Sequence, residues 1–83
     1  MAKKPKHPGK IAYYEIHEGE EILAHTDSIS GVPEDSRFCQ TEKGLVPIVK
    51  VVAILDKEKN PVEITEYGPN GERLRTTYAS SEI

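Results

Sequence analysis

The chain has 83 residues, a formal net charge of −3, 36% hydrophobic residues, no Trp and one Phe. It is short enough for one domain with a marginal core, since chains of this size bury only roughly 60% of the surface their unfolded form exposes. A single cysteine, Cys39, excludes an internal disulfide framework and fits a reducing, cytoplasmic setting. No apolar run approaches the ~20 residues that span a bilayer, so no membrane partner is expected.

The charge is unevenly placed. Residues 1–10 carry Lys3, Lys4, Lys6 and Lys10 and no acid, whereas residues 11–83 hold 7 basic against 14 acidic groups. With Pro5, Pro8 and Gly9 among the lysines, residues 1–10 read as a disordered basic arm, unable to bury enough to offset its ordering entropy. The N-terminus has no apolar segment behind its charges and is not a secretory signal. Residues 11–79 then form a single acidic β domain, and residues 80–83 are expected to fray.

Ile11 to His25 reads as a hairpin. A three-residue loop, His17-Glu18-Gly19, sets Gly19 at a left-handed position and pairs Tyr14 with Ile22 and Ala12 with Ala24. Thr26 to Ser36 is rich in Ser, Gly, Pro and Asp, the chemistry of turns, and is expected to cross the fold. Residues 33–43 admit two readings. Pro33 with Glu34 and Asp35 suits a helix start, but no apolar stripe of helical spacing follows. The periodicity therefore favours a strand from Arg37 to Thr41, turning through Glu42-Lys43-Gly44 and placing Phe38 opposite Ile48.

Leu45 to Leu55, LVPIVKVVAIL, is the most apolar run. Its six β-branched residues make it a strand, the central one. After a charged loop, Asp56 to Pro61, the last hairpin turns at Pro69-Asn70-Gly71, where proline presets one turn residue and glycine accepts positive φ. That loop pairs Gly68 with Glu72 and Ile64 with Thr76, putting Tyr67, Arg73 and Arg75 on one face. Tyr67 to Tyr78 resembles the unit of YD-type β-hairpin repeats, with Tyr67, Gly71, Leu74 and Tyr78 in similar places and Gly68 where that pattern has Asp. The resemblance covers twelve residues and implies a hairpin, with no function attached.

The fold class is thus mainly β: a small antiparallel meander of five to six strands, a curled sheet or open barrel. The alternative is an α+β fold with one short helix at 33–43 packed on the sheet.

No catalytic, cofactor-binding or metal motif stands out. His7, His17, His25 and Cys39 lack any metal-ligand spacing, and no nucleophile has a base placed beside it by sequence. Two candidate surfaces remain. The central strand is apolar on both sides, and one side, Val46, Ile48, Lys50, Val52 and Ile54, has no evident cover. It is a candidate protein interface, for a homodimer or another partner. The second surface is the polar face with Tyr67, Arg73 and Arg75, which with the basic arm gives the alternative of weak nucleic-acid binding. The acidic body opposes that alternative. The expectation is a small non-catalytic β module for protein–protein interaction or self-association.

Overall fold

The computed structural model describes residues 5–79. The fold is mainly β, with two sheets and no closed barrel. Strands β1 (Lys10–His17), β2 (Glu20–Ser28), β5 (Lys50–Leu55), β6 (Pro61–Tyr67) and β7 (Arg73–Tyr78) form a five-stranded sheet in the order β2-β1-β5-β6-β7. Strands β3 (Phe38–Thr41) and β4 (Gly44–Pro47) form a separate hairpin. The helix considered for residues 33–43 is replaced by a single 3-10 turn, Glu34–Ser36, followed directly by β3.

The sheet departs from a simple meander at its centre, where β1 and β5 run parallel. A parallel pair needs a long crossover, and the chain supplies one containing β2, two 3-10 turns and the β3–β4 hairpin. The crossover is tied to the start of β1 by a hydrogen bond from Ile29 N–H to Gly9 O of 3.0 Å. It is braced internally by Arg37 Nε–H donating to Val32 O at 2.9 Å.

The apolar run from Leu45 to Leu55 is two strands in different sheets. Pro47, which has no N–H to donate, ends β4. Ile48 N–H still bonds back to Arg37 O at 2.8 Å, whereas Val49 N–H bonds Tyr67 O and Val49 O accepts from Ala12 N–H, both at 3.0 Å. Within two residues the backbone has moved from one sheet to the middle of the other. Only its second half, β5, is the central strand.

Turn chemistry explains the pairing registers. Glu18 and Gly19 have φ of 54° and 84°, the signature of a two-residue turn whose twist matches the strands it joins. His17 therefore pairs with Glu20, and Ile22 lies opposite Glu15 rather than Tyr14. Ala24 is then skipped as a bulge, after which Tyr13 pairs with His25 and Ala12 with Thr26. The β3–β4 hairpin is also one residue tighter than the three-residue reading, with Phe38 opposite Pro47. At the last hairpin the Pro69-Asn70-Gly71 loop forms as expected. Gly71 has φ 79°, and Gly68 N–H bonds Glu72 O at 2.9 Å. A bulge at Leu74 follows, so that Tyr67 pairs with Arg73 but Glu66 pairs with Arg75.

The core is small and lies where the crossover meets the start of β1. Ile11 and Ile48 are each 1% exposed, and Val32, Cys39 and Pro47 are also buried. His7 belongs to this core although it sits within the expected basic arm. Its Nδ1 accepts Gly9 N–H at 2.9 Å, so the ring proton lies on Nε2, which donates to Ile48 O at 2.7 Å. The ring also meets Phe38 edge to face at 5.8 Å. Of the remaining arm, Lys10 opens β1. Lys3, Lys4 and the C-terminal residues 80–83 lie outside the described residues.

Candidate functional site

The registers sort the sheet's side chains into two faces. One, here the lysine face, carries Tyr14, Lys50, Val52, Ile54, Thr65 and Tyr67. Lys50 Nζ lies 4.7 Å from the centroid of the Tyr14 ring and 5.6 Å from that of Tyr67, and 3.5 Å from Glu21 Oε2. One ammonium thus draws together side chains from four adjacent strands by cation–π and ionic attraction. Thr65 and Thr76 bring their hydroxyls to 3.2 Å. Beside these groups Val52 and Thr65 are only 7% and 6% exposed.

The other face is the groove face. Along β5 it carries Val51, Ala53 and Leu55, all half-buried, with Ile64 beside them at 36% exposure. Ser36 of the crossover forms one wall, leaving an open groove of about 420 Å³, within the range of small ligand sites. Glu15 and Glu66 stand on its rim, with Lys59 at the end near the β5–β6 loop. Tyr13 also lines it, stacked on His25 with centroids 4.5 Å apart. Burial raises the Tyr13 phenol above its ordinary value, and the carboxylates of Asp27 and Glu66 push it the same way.

The sequence-predicted interface residues do not form one exposed patch. Lys50, Val52 and Ile54 share the lysine face, but Val52 is buried there. Ile48 is enclosed in the core at the sheet switch. Val46 lies in β4 opposite Cys39 and lines a cleft with Arg73 and Leu74. The predicted polar face is divided too. Tyr67 and Arg73 are register partners on the lysine face, while the Leu74 bulge turns Arg75 to the groove face. There Arg75 Nη2 and Nε reach Glu66 Oε1 at 2.7 and 2.8 Å. Tyr67, the ring of that predicted face, lies 5.6 Å from Lys50 Nζ, which also approaches the Tyr14 ring.

The groove residues of β5 lie on the other apolar side of the Leu45–Leu55 run, not on the side proposed from sequence as an interface. Val51, Ala53 and Leu55 fall on the side of the run that composition makes most apolar. The overlooked signal is Pro47, whose presence argues against a continuous central strand and for a corner.

Among the described residues, no group of three or more His, Cys, Asp or Glu side chains converges as a metal site. Cys39 is buried, its Sγ directed at Gln40 O at 3.8 Å. No helix is long and apolar enough to cross a membrane. The fold and surface together define a small mixed β-sheet domain with an open groove lined by aliphatic and charged side chains. No protein-family model, no curated protein and no solved structure matches the chain.

Proposed function

We propose that the protein is a non-catalytic interaction module of the cytoplasm whose docking surface is the groove face. The observation that carries this reading is the half-covered row Val51, Ala53, Leu55 and Ile64 at the middle of the sheet. A chain this small has one crossover to spend on covering, and that crossover closes over the sheet's lower end near Ile11 and Ile48. Completing the burial of each remaining aliphatic contributes on the order of 1 kcal/mol, so a partner that fills the groove gains from several at once.

The rim selects the partner's charge. Lys59 stands at the end near the β5–β6 loop. Away from it Glu15 is exposed, Glu66 is shared with Arg75, and Asp27 lies close enough to Tyr13 to act on its phenol, so the acidic side is the part beside Tyr13 and Glu15. The complementary partner is a protein segment with aliphatic side chains flanked by Lys or Arg, its charge steering the encounter and its apolar groups supplying affinity.

Amide chemical-shift mapping with two short peptides tests this, one alternating Val with Lys and one alternating Val with Glu. The expected result is a shift of Val51, Ala53, Leu55 and Ile64 with the lysine peptide alone, lost in Ala53→Arg. Shifts confined to the lysine face, equal response to both peptides, or no response sinks the proposal.

A further inference from the structure

We infer that the two edges of the five-stranded sheet recognise each other between copies of this chain, β2 of one copy pairing antiparallel with β7 of the next. The contact is made along the edge strands and shares with the groove only the charges of Asp27 and Arg75, so variants at Leu23 and Tyr78 test it separately from the docking reading above.

Three observations carry it. First, among the described residues the outermost strands are hydrogen-bonded on one side only, and nine-residue β2 is exposed at every residue except Asp27. The start of β7, Arg73 to Arg75, borders the β3–β4 hairpin, while its end at Tyr78 is open. Such an edge is a template for strand addition. Second, the three most exposed large apolar side chains lie on these two edges: Tyr78 at 70%, Ile22 at 54% and Leu23 at 51%. All three sit at the same end of the sheet, since β2 begins where β7 finishes. Third, the edges carry unlike charge. β7 has Arg73 and Arg75 and no acid, whereas β2 has Glu20, Glu21 and Asp27 and no Lys or Arg.

Strand direction makes these features meet. β2 runs opposite to β7 in the sheet, so laying the next copy alongside in the same orientation gives an antiparallel pair and a continuous sheet. With Arg75 set against the neighbour's Asp27, both on the groove face, Thr76 meets Thr26. Tyr78 then comes beside Leu23 on the lysine face. Cross-strand pairs of these types are the ones that stabilise sheets. Because the two edges differ, the contact is head-to-tail and does not close at two copies. Assembly therefore grows with concentration, and salt weakens the charged end.

Sedimentation velocity over a concentration series tests the inference on the full chain and on two edge-blocked variants. Leu23→Lys blocks β2 and leaves β7 open; Tyr78→Lys does the reverse. The wild type is expected to form species larger than a dimer as concentration rises. Each variant alone is expected to stay monomeric, with association weakened at least tenfold, while an equimolar mixture of the two forms a 1:1 dimer through the intact edges. A wild type that stays monomeric at high micromolar concentration overturns the inference. So does self-association of either variant at wild-type strength, or a mixture that stays monomeric. Circular dichroism confirms that each variant folds, and Ile22→Lys serves for β2 if Leu23→Lys does not.

Discussion

Val51 and Val52 are adjacent residues of the same type on the same strand, yet they meet different surroundings. Val52 is closed in among side chains of its own sheet, where Lys50 bridges two tyrosines and a glutamate and two threonines join hydroxyls. Val51 looks onto a groove whose far wall is a single serine of the crossover. At its middle, around Val52 and Thr65, the lysine face is covered from within by side chains of its own strands, while its end at Leu23 and Tyr78 stays exposed. The groove face depends on another layer of chain, and the crossover is too short to supply all of it. A small sheet can thus cover the middle of one side with amphipathic side chains while the middle of the other stays half-open.

Substitutions sharpen that contrast. The largest loss is expected at the corner that sends the run from one sheet to the other. Ile48→Ala, deleting one of the two most buried side chains, is expected to cost about 2–5 kcal/mol in chemical denaturation. Next comes the valine pair. Val52→Ala is expected to cost roughly 2 kcal/mol and Val51→Ala less than about 1 kcal/mol, because one site is enclosed and the other is already wet. Equal losses would erase the distinction between the faces.

Smaller again is the charge that holds the lysine face together. Lys50→Met keeps the apolar stem and removes the ammonium, for an expected loss of about 0.5–1 kcal/mol that shrinks in high salt. Both ionic partners are about 40% exposed, which limits the pair's worth. The least effect is read on the groove face through pH. The folded state raises the Tyr13 phenol above its unfolded value. Its contribution is therefore complete below the ordinary tyrosine value of about 10 and is lost as pH rises through the folded value. Thermal melts taken through this alkaline range are expected to fall less steeply in Tyr13→Phe than in the wild type.

How much of this was readable in the residues differs from place to place. Pro69-Asn70-Gly71 announced its turn because glycine and proline each fix a torsion, and the loop formed where they stood. Glu18 gave no such signal: a glutamate at φ 54° is held by the turn it joins, not by its own preference. That single residue shortened the first loop and turned Ile22 to the opposite face. Neither Ala24 nor Leu74 is a residue type that marks the bulge it forms. Leu74 decided the fate of the predicted polar site, since it parted Arg75 from Tyr67. The mainly β class was legible from β-branched composition, while the parallel pairing of β1 with β5 rests on long-range contacts that no local pattern records.

Cover across the middle strand is unequal, and methyl relaxation by a soluble paramagnetic probe measures it residue by residue. The methyls of Val51, Leu55 and Ile64 are expected to relax strongly, while those of Val52 and Ile48 stay protected. Protection of Val51 and Leu55 equal to that of Val52, in dilute protein, would contradict it.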